Sequence, residues 1–336
     1  MKPGPVRLLA LLLTAAGLSL PAPTASAAPT SAFPGPGSYL HQSYDSAGDT
    51  YDYSLYIPAG YDPQQPSPLV VLLHGCNTTA DQRARSSDFN PIADQQHALV
   101  LYPDGDAYDR LLNGRCWRAT TDPRGETRDH GDAAAIAGMT RAVAAAWNVD
   151  TTRTYALGMS AGGFEASMLG ADYPDLYAAI GVHSGAAYGR GAVGCLGPYL
   201  PTADTADLAQ QAFAQMGPRR RPVPVILFHG DADPVVPYQC GRQALEQWRQ
   251  TDNLALTAQG LPAVPDQPTQ LTDAAVPGGR TYTVADYGTL LEFWTVHGMA
   301  HKWSGGSDDP AVAQYGDPTG PDASAAAWQF FSRHHP

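Results

Sequence analysis

The chain alternates short, continuous apolar runs with stretches in which apolar residues recur every three or four positions. Leu69-Val-Val-Leu-Leu73, Ala98-Leu-Val-Leu-Tyr102, Tyr155-Ala-Leu157, Ala178-Ala-Ile-Gly-Val182 and Pro224-Val-Ile-Leu-Phe228 have the length and composition of strands covered on both faces. Leu290 to Val296 reads as one further strand. Between them, Ile136, Met139, Val143 and Trp147 mark a helix within residues 129–149, Phe164, Met168 and Leu169 a second, and Ala206 to Met216 a shorter third. Asp322 is placed to cap a last helix carrying Trp328, Phe330 and Phe331. Tyr51, Tyr53, Leu55 and Ile57 alternate like a half-buried edge strand closed by Pro58, whereas the Pro-, Gln-, Gly- and Thr-rich residues 256–280 read as loop before a short strand at Thr281 to Val284. Buried strands alternating with helices predict an α/β fold, a mostly parallel sheet with helices on both faces, in one domain over residues 51–336.

The residues before that domain change the setting. Lys2 and Arg7, the apolar run Leu8 to Leu20 and the small residues Ala25-Ser-Ala27 describe a secretory signal peptide over residues 1–27, and residues 28–50 read as a loose arm. No later run is long and apolar enough for a membrane span, so a secreted, extracellular protein is expected. Without Lys2 and Arg7 the formal charge moves from -12 to -14. That sign disfavours nucleic acid as a partner, and Arg219-Arg-Arg221 reads as a solvated loop. Outside the cell the four cysteines should be oxidised. Of the three pairings, the one joining sequence neighbours, Cys76 with Cys116 and Cys195 with Cys240, closes two loops of about 40 residues. No Cys or Cys/His spacing suits a metal, and no cofactor is expected. Nothing in the pattern sets the oligomeric state.

In open α/β sheets the chemistry gathers at the carboxyl ends of the strands, and several strands here end in polar clusters. The strand at Tyr155 runs into Gly158-Met-Ser-Ala-Gly162 and then a helical pattern. Ser160 therefore sits on a strand-to-helix turn between glycines, the G-x-S-x-G arrangement of a serine nucleophile. A serine hydroxyl needs a base, and the base an orienting carboxylate. Downstream strand ends offer Asp231 or Asp233, then His297 or His301. Asp233 is preferred because Asp231 can serve the turn itself, and His301 because its Gly-containing loop can fold back over the serine. An i, i+4 zinc site at His297 and His301 would need a helix and an intervening Glu, and neither is present. The amides of Ala161 and Cys76 are the candidate oxyanion donors, and His74 and Trp303 the candidate substrate contacts.

Taken together, Leu73-His-Gly-Cys76, Cys116-Trp117, Asp150 to Arg153, Gly158-Met-Ser-Ala-Gly-Gly163, His229-Gly-Asp-Ala-Asp233 and His301-Lys-Trp-Ser-Gly-Gly306 resemble the extracellular polyhydroxybutyrate depolymerases and related feruloyl and acetylxylan esterases. The resemblance covers roughly residues 50–333 and implies an α/β-hydrolase fold, a Ser160, Asp233, His301 triad, an oxyanion contact at Cys76 and a Cys76 to Cys116 bridge. The chain departs from the family pattern at Met159 and at Ala300-His301-Lys302. The expected activity is serine esterase action on a polyester or hydroxyalkanoate oligomer through an acyl-enzyme. Feruloyl or acetyl groups on plant cell-wall polysaccharide are the alternative substrate, and a non-catalytic carbohydrate-binding protein on a hydrolase scaffold the alternative of another class. Soluble short esters are expected to turn over faster than crystalline polymer, because no appended binding module is evident.

Overall fold

The computed structural model describes residues 37–105, 108–109, 114–195 and 204–335. The signal peptide expected over residues 1–27 lies outside the described residues. Along the chain come strands β1 (Ser38–Ser46), β2 (Asp49–Ile57) and β3 (Ser67–Leu73), helices α1 (Ala80–Ser87) and α2 (Asn90–Gln96), then β4 (Leu99–Asp104) and the two-residue strands β5 (Tyr108–Asp109) and β6 (Gly114–Arg115). Helix α3 (Gly131–Ala146), β7 (Val149–Met159), α4 (Ala161–Asp172), β8 (Ala179–His183), α5 (Gly191–Cys195), α6 (Thr205–Met216) and β9 (Val225–Gly230) follow. The chain closes with α7 (Tyr238–Ala258), β10 (Gln270–Ala275), β11 (Thr281–Asp286), β12 (Leu291–Val296), β13 (Trp303–Ser304), β14 (Gly316–Asp317) and α8 (Ala323–Phe331).

Ten of these strands form one sheet in the order β1-β2-β4-β3-β7-β8-β9-β12-β11-β10. The six central strands from β4 to β12 are parallel to their neighbours, and antiparallel pairs finish both edges. All seven residues of β3 are buried, which is why its sequence is apolar without alternation. Leu69, Val71 and Leu73 belong to one core cluster with Ile136 of α3, Phe164 and Met168 of α4 and Trp248 of α7, while Val70 and Leu72 belong to a second with Phe89, Phe330 and Phe331. Each such aliphatic side chain contributes about 1.5–3 kcal/mol by leaving water. Helices therefore cover both faces. The crossovers carry the chain back each time, and the carboxyl ends of β3, β7, β8, β9 and β12 collect at one rim, where the polar clusters lie.

Three local expectations are corrected, and helices that the pattern does not announce are added. Residues 38–46 are not a loose arm but β1, paired in register with β2, so β2 is an inner strand rather than an edge. Residues 270–275 form β10 within the segment read as loop. Helices α1, α2 and α7 carry no apolar stripe that announces them. In α7 the positions Ala244, Trp248, Thr251 and Ala255 do recur at helical spacing, but buried Gln243, Gln247 and Asp252 dilute the pattern. Finally, Arg221 is not solvated: its guanidinium donates to the carbonyls of Pro174 (2.5 Å), Tyr177 (2.5 Å) and Ala178 (3.1 Å).

Candidate active site

Ser160 stands at the junction of β7 and α4 with φ 57° and ψ -124°, a backbone state that a non-glycine residue adopts only when its surroundings compel it, at about 1–3 kcal/mol. The surroundings here are backbone. A Cβ on Gly158 would collide with the carbonyl oxygen of Gly162, and one on Gly162 would lie 2.5 Å from the carbonyl oxygen of Leu73 and 2.6 Å from that of His74. Both glycines are thus required by close approach, and the Ser160 amide is tied to the His183 carbonyl at 2.9 Å. The turn lifts the Ser160 side chain into a cavity of about 300 Å³.

Two histidine–aspartate pairs follow β12 and β9. His301 Nδ1 donates to Asp233 Oδ2 at 2.7 Å, and Asp233 Oδ1 accepts the amides of Val235 (2.8 Å) and Val236 (3.0 Å). Burial pushes the Asp233 carboxyl up, but the His301 hydrogen bond and charge, the nearby His229 and the Val235 amide outweigh it and hold the group below the usual carboxylate range. His229 Nε2 donates to the Val236 carbonyl at 2.8 Å and so braces the same turn. The second pair is His297 Nδ1 to Asp231 Oδ2 at 2.8 Å. Its partners differ: Asp231 Oδ1 accepts the Gly298 amide at 2.6 Å, and His297 Nε2 lies 3.0 Å from Thr283 Oγ1 on β11. Both nitrogens of His297 are engaged in the sheet margin, whereas His301 lines the cavity that holds Ser160.

The loop after β3 forms the opposite wall. Cys76 is bonded to Cys116, the Asn77 amide donates to the Arg115 carbonyl at 2.8 Å, and Trp117 Nε1 donates to the His74 carbonyl at 2.8 Å. Gly75 lies so close that a Cβ on it would sit 3.2 Å from Ser160 Cβ. Cys76 and Ala161 both line the cavity, and Ala161, as the first residue of α4, carries an amide that a helix start leaves without an intrahelical acceptor. The remaining wall is largely apolar, with Met159, Phe164, Val235 and Val236. Cys195 is bonded to Cys240, which ties α5 to the start of α7.

Comparison with known proteins adds a second line. The family described as Esterase PHB depolymerase matches residues 51–260. The chain belongs to this esterase family. It is 28% identical over 260 residues to feruloyl esterase B of Thermothelomyces thermophilus, covering 74% of this chain and 82% of that one. It is 26% identical over 260 residues to poly(3-hydroxyalkanoate) depolymerase C of Paucimonas lemoignei, covering 73% of this chain but only 57% of that relative. An acetyl xylan esterase from Aspergillus awamori shares the fold with a TM-score of 0.67 at 18% identity, over 88% of this chain and 99% of that one. The architecture is the α/β-hydrolase fold, and the chain is a carboxylic ester hydrolase.

Within this esterase, two expected substrate contacts are corrected. His74 is fully buried: its Nδ1 donates to the Gly75 carbonyl at 2.7 Å and its Nε2 accepts the Gly105 amide at 2.8 Å, so it holds the cavity loop from behind. Trp303 is also fully buried, stacked on His183 with ring centroids 4.9 Å apart and donating from Nε1 to Ser324 Oγ at 3.1 Å. Neither side chain is open to a substrate. Three wall residues that sequence reasoning missed are Arg83, Thr120 and Tyr315, which reach the cavity from α1 and from two loops far apart in the chain. Lys302 points elsewhere, donating to the Ala313 carbonyl at 2.9 Å.

Where α4 meets α3 and the 118–126 loop lies a cluster of buried carboxylates. Glu126, Asp132 and Glu165 each offer an oxygen within 4.8 Å of the others. Glu126 accepts the amides of Asp132 (3.2 Å) and Ala133 (2.8 Å) and thereby caps α3, and Asp132 accepts Tyr51 Oη at 2.8 Å and the Arg118 amide at 2.7 Å. Glu165 is fully buried beside them. Burial and then the neighbouring Asp132 raise Glu126 to about 8, and burial with Glu126 and Asp132 raises Glu165 well above the carboxylate range.

Proposed function

We propose that the protein is a secreted serine esterase in which Ser160 is the nucleophile, His301 the general base and Asp233 the orienting carboxylate. The observation that carries the reading is that His301 is bonded to Asp233 through Nδ1 while its ring lines the same cavity as Ser160. With Nδ1 engaged, Nε2 is the nitrogen that takes the Ser160 proton as Oγ bonds to the ester carbonyl carbon. The amides of Ala161 and Cys76 receive the developing oxyanion. Collapse of the tetrahedral intermediate breaks the carbon–oxygen bond of the ester, and the alcohol leaves with the proton held by His301. Water, deprotonated by the same histidine, then cleaves the acyl-enzyme and frees the carboxylic acid and Ser160.

The preferred substrate is a hydroxyalkanoate ester or oligomer. The second reading, a feruloyl or acetyl ester of plant polysaccharide, is favoured by the feruloyl esterase B similarity, which spans most of that relative. The amino-terminal segment of secretory pattern and the two disulfides support export. Ser160→Ala tests the core of the proposal. It should lower aryl ester hydrolysis by about 10⁴-fold or more with the fold intact, because triad members act as a unit. A fluorophosphonate should label the unmodified protein at Ser160. Retained turnover in the variant, or labelling elsewhere, overturns the assignment, and a panel of hydroxybutyrate oligomers, feruloyl sugars and acetylated xylan separates the two substrate readings.

A further inference from the structure

Arg83 is a charged wall residue of the cavity that the proposed mechanism leaves unused. It sits on α1, whose start is set by a reciprocal capping box between Thr79 and Gln82. Only 2% of Arg83 is exposed. Its guanidinium lies over the Trp303 ring, 5.0 Å from the centroid, and Nη2 is 3.4 Å from the sulfur of Met159, the residue before Ser160. The other two nitrogens, Nε and Nη1, have no hydrogen-bond partner among the described residues. Burial lowers the guanidinium to about 10, so it keeps its charge at neutral pH. Among the described residues no aspartate or glutamate lines the cavity to compensate it.

A buried charge without a partner is expensive to maintain, and a structural role alone is served more cheaply by an apolar side chain of similar length. The packing is specific all the same. Trp303 also stacks on His183, so the two rings form a fixed shelf that keeps the cation against the wall of the cavity that holds Ser160. Such an arrangement attracts an anion, and the cavity is otherwise apolar enough that a charge-assisted contact inside it is weakly screened.

Resting on the esterase reading above, we propose that Arg83 is a specificity-determining residue that selects esters carrying a free carboxylate a short chain from the scissile carbonyl, as the terminal ester of a hydroxy-acid oligomer does. The hydroxy-acid dimer is thereby distinguished from its neutral derivatives, and the gain falls on KM. A charge-assisted hydrogen bond at a buried site corresponds to roughly a 10–100-fold preference in kcat/KM.

The test compares the 3-hydroxybutyrate dimer with its terminal primary amide, which has the same shape without the charge, using 4-nitrophenyl acetate as a neutral reference. The unmodified protein should favour the acid over the amide by at least about tenfold, through KM. Arg83→Met should bring the ratio close to one, and Arg83→Lys, which keeps the charge, should retain part of it. If the variants do not fold, the unmodified protein still decides, since the acid must win there. Equal rates for acid and amide alongside brisk 4-nitrophenyl acetate hydrolysis would overturn the role of Arg83 and leave the esterase reading standing. So would an Arg83→Met variant that slows both dimers equally, because packing alone then explains the residue. Failure to hydrolyse 4-nitrophenyl acetate at all would remove the esterase reading and this proposal with it.

Discussion

Glu165→Gln should stabilise the protein progressively as the pH rises. A carboxyl whose folded pKa lies above its unfolded value contributes stability that is complete at acid pH and is lost as the pH climbs through the interval between the two. For Glu126, raised by burial and then by Asp132 from 4.5 to about 8, that interval corresponds to about 5 kcal/mol at roughly 1.4 kcal/mol per pH unit. Glu165 is displaced in the same direction by burial and by the charges of Glu126, Asp132 and Asp172, which together outweigh the hydrogen bond from the Ala119 amide. The buried histidines run the other way. Burial holds His183 and His229 below 6.5, so their contribution grows up to about pH 6.5 and is flat above roughly 7.5, which leaves the alkaline side as the clean window. Glutamine keeps the volume of Glu165 and removes its charge. Urea denaturation at pH 5, 7 and 8.5 should show the variant within about 1 kcal/mol of the unmodified protein at pH 5 and more stable by roughly 2–4 kcal/mol at pH 8.5. The matching rise in Tm is about 2 °C per kcal/mol for a chain of this size. A stability difference that stays constant with pH, or that shrinks as the pH rises, refutes the reasoning.

Asp233→Asn should lower kcat by about 10⁴-fold, since an amide cannot hold His301 in the tautomer that presents Nε2 as acceptor. Asp231→Asn should cost less than about tenfold, because His297 is turned to Thr283; steady-state kinetics with the reverse ranking would exchange the two pairs. Gly162→Ala should both destabilise the fold, by about 2 kcal/mol or more, and reduce turnover sharply. The added methyl meets the backbone oxygens of Leu73 and His74, which cannot rotate away, so the loop of Gly75 or the turn of Ser160 must move. A folded variant with unaltered Tm and kcat would show that the close approach is not required.

What was legible in the sequence is what a local rule dictates. Strand β3 had to be apolar throughout because helices cover both its faces, and Gly158 and Gly162 had to lack a Cβ because backbone passes within contact distance of each. Both signals survive without knowledge of the rest of the fold. The hairpin of β1 and β2 gave no such signal. Residues 38–46 are mostly exposed or half-buried and polar, and they are a strand because β2 offers a ladder along its whole length. Helix α7 was silent for the opposite reason: its buried face uses polar side chains, with Gln247 accepting the Tyr188 amide and Asp252 the Val223 amide, and periodicity counts only apolar positions.

The site divides along the same line. The turn of Ser160, the loop of Cys76 and the aspartates after β9 are backbone features at strand ends, so spacing and glycines pointed to them. The choice between the two histidines could be argued from the sequence but rests on tertiary contacts: His297 and His301 follow one strand, each with an aspartate, and they differ in what lies beyond the second nitrogen. For His297 that is a hydroxyl on the neighbouring strand β11. The cavity wall was beyond reach for a related reason. His74 and Trp303 sit in the most recognisable motifs yet face inward, because a motif records that a side chain is constrained and not in which direction it points. Arg83 lies in a polar helix of eight residues, where no pattern singles it out. Only the stack of His183 and Trp303, brought from β8 and from the start of β13, places its charge against the cavity. The residues proposed as nucleophile, base and acid thus lie where strands end, whereas the cavity wall is set by what packs between elements distant in sequence.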